Sequence, residues 1–414
     1  MSAVVFDNAR VFDGWNQECQ EGMSVLVQDD RIVEIADRPV KYENARRVNV
    51  NGRTLMPGLI DMHVHCYLAD MNAERIDYIG HAYRAAHAVR LLEHALDCGF
   101  TTVRDIGGGD WSLAQALNEG LIRGPRFFYA GRIISMTGGH GDGRPMKYDA
   151  HMHEQGYCSC GQFNVLAAIS DGPTECLRAA RETLRRGAHT VKIMASGGIA
   201  SPTDPLGVNQ FQDDEIRAIV AECVMRGSYA SAHCHPAKAT RRSVELGVRC
   251  IEHGTLVDAE TAAFVASRDA FIVPTMAVLS AMHELGGDLG LPPQSQAKLK
   301  EVFGLAQGGL DNMRNAGVKL GFGTDLMGKT YDRQCTEFML RSEVFTPLEI
   351  LRQATSIGAE ILQHSGRLGC VAVGAYADLI VVDGDPLSDI SLLAEDGRKL
   401  SVIMRAGEMV KNRL

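Results

Sequence analysis

The sequence has no long hydrophobic run and no excess of basic residues. No stretch of about 18 apolar residues occurs, and the N-terminus lacks the basic, then apolar, pattern of a signal peptide. The formal net charge of -9 argues against a nucleic-acid-binding surface and gives no reason to expect an anionic membrane as partner. We therefore expect a cytoplasmic protein that acts on a small molecule, with no nucleic-acid or membrane partner, and that forms a homo-oligomer.

The cysteines do not form the pattern of a disulfide framework. There are 11 of them, an odd number, and they are scattered from Cys19 to Cys370. Free thiols in a reducing compartment are the simpler interpretation. At 414 residues the chain exceeds what one simple core usually holds, which favours a large domain with a smaller module beside it.

Both ends of the chain carry short β-strand patterns, and the middle alternates between strand and helix. At the N-terminus the strand patterns include 4–6, 10–12 and 48–50, the last followed by the hairpin signal Asn51-Gly52. We expect residues 1–57 and 364–414 to pair into one small β-sandwich module. Predicted helices include 76–97 and 347–363, and the predicted strands of the middle are 59–65, 101–106, 127–130, 190–194, 229–233, 250–253, 270–274 and 318–323. Eight strand–helix repeats over 58–363 predict an α/β protein with a closed (β/α)8 TIM barrel.

The predicted site is centred on one motif, Pro57-Gly58-Leu59-Ile60-Asp61-Met62-His63-Val64-His65. Its apolar residues indicate a short buried strand, and the two histidines, two positions apart, point to the same side. Two imidazoles on one face can bind one metal ion, although His-x-His also occurs by chance.

Later strands also end in residues that can bind metals. In a barrel of this kind the strand ends converge on one face, where reactive groups lie. His233 or His253 alone could be an ordinary core histidine, and Asp325 alone could cap a helix. Lys192 lies in an apolar strand, so it must reach solvent, pair with a carboxylate or carry a modification such as a carbamate. Coincidence is a poor explanation for the whole set of His63, His65, Lys192, His233, His253 and Asp325.

The motifs together resemble the amidohydrolase superfamily. The resemblance rests on the His63–His65 motif, Lys192-Ile-Met-Ala-Ser-Gly-Gly, Ile251-Glu-His-Gly-Thr and Gly323-Thr-Asp, and it extends to the C-terminal segment 375–381. More narrowly, the chain is similar to the prolidase-like branch, which includes Xaa-Pro and Xaa-Arg dipeptidases and metal-dependent carboxypeptidases.

The resemblance implies a binuclear centre with two divalent cations, usually Zn2+. His63, His65 and Asp325 would hold one ion, His233 and His253 the other, and N6-carboxylated Lys192 would bridge both. The two ions would activate water and polarise the scissile carbonyl. Asp325 would accept the proton of the attacking water and pass it to the leaving amine.

Substrate contacts are expected from loops beside this centre. His140, in Thr137-Gly-Gly-His-Gly-Asp, resembles a family histidine that faces substrate and could donate to an oxyanion or a substrate carboxylate; a solvated histidine in a Gly-rich turn is the alternative. His235 stands where the compared prolidases have tyrosine, which weakens a direct assignment of Xaa-Pro specificity, and it is a second candidate ligand beside His233. Ser196, Gly197 and Gly198 are the remaining candidates for substrate approach. His151, His153, Cys158 and Cys160 could suggest a zinc knot, but their spacing lacks two Cys-x2-Cys-like pairs, so an insertion loop near the pocket mouth is the prediction.

The predicted function is metal-dependent hydrolysis of an amide bond in dipeptides or N-acyl amino acids. One alternative keeps the metal centre and changes the substrate to a non-peptide amide, urea, carbamate or cyclic amide. A third possibility is an inactive barrel used as a binding protein.

Overall fold

The computed structural model describes residues 3–76, 79–143, 166–201, 204–291 and 293–414. The predicted insertion loop at 151–160 lies outside these residues. Within them every cysteine carries a free thiol, and no helix is both long and apolar enough to cross a membrane.

The described strands, numbered along the chain, are β1 (Ala3–Val11), β2 (Gln20–Gln28), β3 (Arg31–Ala36), β4 (Arg46–Asn49), β5 (Thr54–Pro57), β6 (Leu59–Val64), β7 (Phe100–Asp105), β8 (Arg126–Tyr129), β9 (Ile133–Ser135), β10 (Ala167–Ile169), β11 (Val191–Met194), β12 (Ala230–Pro236), β13 (Cys250–Leu256), β14 (Phe271–Val273), β15 (Lys319–Leu320), β16 (Leu379–Val382), β17 (Leu400–Arg405) and β18 (Glu408–Asn412). The helices are α1 (Ala73–Ile76), α2 (His81–Asp97), α3 (Trp111–Asn118), α4 (Gly172–Arg185), α5 (Asp213–Met225), α6 (Ala237–Glu245), α7 (Ala259–Ser267), α8 (Met276–Leu285), α9 (Pro293–Asn315), α10 (Thr336–Ser342), α11 (Pro347–Gln353) and α12 (Ser356–Ile361), with 3-10 turns at Gly328–Arg333 and Ile390–Leu393.

Strands from the two ends of the chain share one eight-stranded mixed sheet. Its order is β18-β17-β16-β5-β1-β2-β3, with β4 also paired to β1. The ends of the chain meet where β5 runs antiparallel to β16, with Met56 opposite Ile380. The patterns 4–6 and 10–12, predicted as separate strands, are halves of β1, since the register shifts after Phe6 and Asn8 adopts a φ of 54°. The turn Asn51-Gly52 does not make a hairpin, because β4 and β5 both pair parallel to β1.

The strands of the middle are parallel and alternate with helices, which is an α/β fold. Among the described residues they form a three-stranded sheet, β6-β7-β8, and a seven-stranded sheet, β10-β9-β11-β12-β13-β14-β15. Single backbone hydrogen bonds join segments of different sheets: Met62 N donates to Phe322 O at 2.7 Å, just after β15. The strand ladders by themselves remain two sheets.

Two predicted helices are shorter than their sequence patterns. The pattern 76–97 becomes α2, which begins at His81 directly after Gly80. The pattern 347–363 is divided into α11 and α12, because Thr355 takes a φ of -136° and a ψ of -92°, outside the helical region. Helices α11 and α12 each still bury apolar side chains, such as Ile350 on α11 and Ile361 on α12.

Candidate metal centre

The first half of the candidate centre is formed by His63 on β6, His65 one residue beyond it, and Asp325 after β15. Nε2 of His63 and Nε2 of His65 are 3.2 Å apart, and they lie 3.4 and 3.2 Å from Asp325 Oδ1. That oxygen is buried and accepts no well-aligned hydrogen bond from any residue that the structure describes. Two ligands about 2.05 Å from a tetrahedral ion are about 3.3 Å apart, so these three atoms fit one metal ion.

The contacts of the Nδ1 atoms of His63 and His65 show which nitrogen of each ring carries the proton. His63 Nδ1 lies 2.8 Å from a Glu252 oxygen, and His65 Nδ1 lies 2.8 Å from the Gly107 carbonyl oxygen. Both partners can only accept, so both Nδ1 atoms donate and each neutral ring keeps a lone pair on Nε2. Two lone pairs and a carboxylate oxygen therefore face one another, an arrangement that requires a cation or a shared proton between them.

The pKa values of His65 and Asp325 also indicate that a positive charge is stabilised between these side chains. Desolvation lowers the pKa of His65, but its hydrogen bond and charge interaction with Asp325 outweigh burial and raise it above the usual value. Burial likewise opposes ionisation of Asp325, yet the two imidazoles hold its pKa well below the usual range.

The second half of the centre is a cluster of three buried histidines. His233 and His235 lie on β12 and His253 on β13; one ring nitrogen from each lies within 4.8 Å of the other two. Ring centroids are 4.6 Å apart for His233 and His253, and 4.9 Å apart for His235 and His253. Desolvation lowers the pKa of His235 to about 3 and lowers those of His233 and His253 well below the usual value. All three rings are therefore neutral at pH 7 and able to bind a metal.

His235 thus lies in the donor cluster itself, not only beside it. The sequence register favours His233 as the ligand, and both side chains point to His253. Their second contacts differ: His233 Nε2 lies 3.3 Å from Gly197 O, whereas His235 Nδ1 lies 3.0 Å from Thr255 Oγ1. Each can therefore offer its remaining nitrogen to an ion.

Lys192 is buried on β11, which pairs with β12, the strand of His233 and His235. Its side chain interacts electrostatically with Asp325 and Glu252, and its charge acts on His233 and His253. Burial lowers the pKa of Lys192, because a desolvated ammonium is unfavourable, and the two carboxylates oppose that shift. An uncharged amine in this position is the form that reacts with carbon dioxide.

His140 stacks on the second cluster. Its ring centroid is 4.4 Å from that of His233, and its Nδ1 lies 3.4 Å from Asp204 Oδ2. Gly198 lies directly against this ring: a Cβ at that position would meet His140 Cε1 at 2.2 Å. Gly197 is equally confined, since its Cβ would meet Pro205 O at 2.0 Å. Ser196 is buried and accepts a hydrogen bond from the His235 N–H at 3.3 Å. The two glycines permit this close packing.

Sequence reasoning assigned no role to the buried ion pair behind the histidines. Arg104 on β7 donates to Glu252 at 2.7 Å, and both side chains are fully buried. Ser231 also donates to Glu252, whose second oxygen receives the proton of His63. The signal was present in the sequence, because a charged residue interrupts each of two apolar strands at 104 and 252. Such pairs are expected when neither charge can reach solvent.

Asp61 is a second residue without a predicted role. Its carboxylate accepts hydrogen bonds from Thr324 Oγ1 and Gln334 Nε2, both at 2.7 Å. It therefore fixes the segment that carries Asp325, whose own N–H donates to His63 O at 2.7 Å. Asp325 takes a φ of 56°, so the backbone there must be held by such contacts.

Residues 54–410 match the family model described as "Amidohydrolase family". The chain belongs to the amidohydrolase family. The resemblance stated from the sequence motifs is confirmed, and the amidohydrolase is a hydrolase that acts on amide C–N bonds, in a family that typically uses metal ions.

Its relatives include a prolidase, a Xaa-Pro dipeptidase and an ochratoxinase. A crystal structure of a prolidase complexed with N-methylphosphonate-L-proline is 42% identical, with a TM-score of 0.95 and 100% of both chains covered. A Xaa-Pro dipeptidase with bound methionine in the active site is 28% identical, with a TM-score of 0.87 over 99% of this amidohydrolase and 100% of that chain. Ochratoxinase of Aspergillus niger is 29% identical over 405 residues, which are 94% of this chain and 83% of that protein.

Proposed function

We propose that this amidohydrolase is a binuclear metal-dependent hydrolase that cleaves the peptide bond of dipeptides or N-acyl amino acids, as a prolidase-like carboxypeptidase does. The observation that carries the proposal is the convergence of the His63 and His65 lone pairs on the Asp325 carboxylate beside three neutral histidines. The similarity to a prolidase over the whole chain supports this substrate class.

In this proposal His63, His65 and Asp325 hold one divalent cation, and His233 and His253 hold the other. N6-carboxylated Lys192 would help to hold both ions, and Zn2+ suits nitrogen and oxygen ligands at the separations found here. Two such cations, when bound, supply Lewis acidity that activates water and polarises the amide carbonyl.

The chain's own groups then have distinct tasks. Asp325 accepts the proton of the attacking water and donates it to the leaving amine, because an unprotonated amine is a very poor leaving group. Glu252 and Gly107 keep the Nδ1 protons on His63 and His65, which fixes the direction of both rings. His140 donates to the developing oxyanion or to a substrate carboxylate, with His235, Ser196, Gly197 and Gly198 lining the approach of substrate.

We also propose that the two parallel sheets are arcs of one (β/α)8 TIM barrel over residues 58–363. The hydrogen bond from Met62 N to Phe322 O, and that from His189 N, just before β11, to Tyr129 O on β8 at 2.9 Å, support this closure. The eight-stranded sheet of residues 1–57 and 364–414 would then be the β-sandwich module. Its shared core, which includes Val25, Leu55 and Val402, supports one unit built from both ends.

A substrate panel tests the proposal. Xaa-Pro dipeptides and N-acyl prolines are compared with ureas, lactams and carbamates, using the protein as purified and the Asp325→Asn variant as the inactive control. The proposal expects turnover of the peptide group and competitive inhibition by N-methylphosphonate-L-proline, whose tetrahedral phosphorus resembles the transition state of amide hydrolysis. Turnover confined to the other compounds would favour the alternative, a non-peptide amide, urea, carbamate or cyclic amide as substrate.

A further inference from the structure

A second group of metal-type donors lies away from the candidate centre, at the end of α2. His94 and Cys98 are four residues apart on this helix, so their side chains lie on one face. Asp396, in the turn before β17, completes a group whose donor atoms all lie within 4.8 Å of one another. A second thiol, Cys335, interacts with Cys98, and the Asp396 backbone interacts with the Cys335 thiol. Four side chains from three distant segments therefore meet here.

One separation within this group matches that of two ligands on a tetrahedral zinc ion. His94 Nε2 and Cys98 Sγ are 3.5 Å apart. A nitrogen about 2.05 Å and a sulfur about 2.3 Å from a tetrahedral Zn2+ would be about 3.6 Å apart. The set of two thiols, one imidazole and one carboxylate is typical of zinc, and it disfavours Mg2+ or Ca2+, which prefer oxygen.

The surroundings favour an ion that enters from solvent and is then enclosed. The Cys98 and Cys335 side chains are buried, whereas the Asp396 side chain is 42% exposed and has only a distant ion pair with Arg398 at 3.7 Å. The turn is already docked on α2, because a Cβ on Gly397 would meet Asp97 O at 2.0 Å.

We infer that His94, Cys98, Cys335 and Asp396 bind a structural Zn2+ ion that fastens the C-terminal segment to the end of α2. This ion is separate from those of the proposed catalytic centre, which has no cysteine among its proposed ligands. A thiolate signal that is lost when Cys98 is replaced therefore reports on the new site, whether or not the proposed function is correct.

Titration of the chelator-treated full-length protein with Co2+ tests the inference. We expect a thiolate-to-cobalt charge-transfer band in the near ultraviolet. Its intensity should stop rising once one Co2+ ion per chain is bound at this site. Cys98→Ser should abolish the band, and Asp396→Asn, a change at the surface that does not endanger folding, should weaken Co2+ binding about 10-fold or more. Cys223→Ser removes a buried thiol elsewhere and should leave the band unchanged.

Three results would overturn the inference. The first is the absence of the band in the unmodified protein, and the second is its persistence in Cys98→Ser. The third is a Cys98–Cys335 disulfide, with no metal bound at this site, in protein that was purified in the presence of zinc and without reductant. Loss of peptide hydrolysis with the band intact would count against the proposed function and leave this site standing.

Discussion

Glu252 acts on the candidate metal centre through the ring of His63. One of its oxygens accepts the Nδ1 proton of His63 and the other accepts from Arg104, in a region from which water is excluded. Desolvation would raise the pKa of Glu252, but Arg104 and His63 outweigh burial and hold it well below the usual range. The carboxylate is therefore charged in the folded protein, and its charge both pairs with Arg104 and fixes the tautomer of His63.

Glu252→Gln should accordingly destabilise the protein and weaken metal binding together. The substitution leaves Arg104 buried without its counter-charge, which typically costs about 3–5 kcal/mol of unfolding free energy. It also removes the acceptor that orients His63, for which a loss of about 10–100-fold in metal affinity is expected. Urea unfolding and Zn2+ titration measure the two effects. Glu182→Gln, which breaks an exposed pair with Arg185, should change neither; a Glu252→Gln protein as stable as the unmodified one would show that the ion pair is unimportant.

Asp325→Asn should remove proton transfer while keeping the shape of the side chain. An amide can neither accept the proton of water nor return it to the amine, and general acid–base catalysis contributes about 100- to 10,000-fold. We expect kcat to fall by that range with zinc present in excess, as measured by release of the C-terminal amino acid. Asp311→Asn, on the exposed face of α9, is the matched control. Unchanged kcat in Asp325→Asn would exclude the proposed role.

Among the secondary-structure elements, α9 is packed unusually close to a strand that carries a proposed ligand. Gly309 faces β13, where a Cβ would meet the Thr255 carbonyl oxygen at 2.3 Å, whereas the neighbouring Gly308 faces open space. Thr255 in turn contacts His235. The two glycines are thus adjacent in sequence and opposite in environment.

Alanine at these two positions should have effects of opposite sign. Gly308→Ala should raise the free energy of unfolding by about 0.5–1 kcal/mol, because alanine loses less backbone entropy in a helix. Gly309→Ala should lower it by about 1–3 kcal/mol, because backbone atoms of α9 and β13 must move apart. Urea unfolding measures the free energy of unfolding of both variants. Equal changes in the two variants would mean that Gly309 is not in close contact with β13.

His189, between α4 and β11, should make stability depend on pH. Its ring lies against Phe128, as does that of His364, and its Nδ1 accepts the Tyr129 N–H at 3.2 Å. Burial lowers the pKa of His189 below 6.5. The unfolded chain therefore takes up a proton first as the pH falls, so this contribution is complete above about pH 6.5 and is lost below it, by up to about 1.4 kcal/mol per pH unit. His189→Gln should flatten the decline in unfolding free energy between about pH 7 and pH 5; an unchanged slope would contradict it.

At the scale of the whole molecule, the sequence predicted the positions of the buried strands better than their ends or their pairing, since β12 and β13 continue three residues past His233 and His253. Apolar runs that end in histidine located β6, β12 and β13, because buried strands leave a strong local signal. The bulge at Asn8, the pairing of β4 and β5 with β1, and the break at Thr355 depend on contacts between segments far apart in sequence. No local pattern reports such contacts.

For the candidate metal centre, the sequence predicted the ligands but not the residues that support them. The residues proposed as ligands could be named from strand ends and family motifs, and the structure brings His63, His65 and Asp325 together as expected. The roles of Glu252, Arg104 and Asp61 could not be named, since each depends on a partner on another strand or loop. Buried charges within apolar strands were the one available signal.

The central claim is that the two donor clusters hold cations on which amide hydrolysis depends. The most direct measurement is hydrolysis of a prolyl dipeptide during stepwise addition of Zn2+ to chelator-stripped protein, with bicarbonate present so that Lys192 can be carboxylated. The account predicts no turnover in the stripped protein and a rise that saturates once two ions per chain occupy the catalytic centre, counted in the Cys98→Ser variant so that the cysteine site does not contribute. Full turnover in metal-free protein would contradict it.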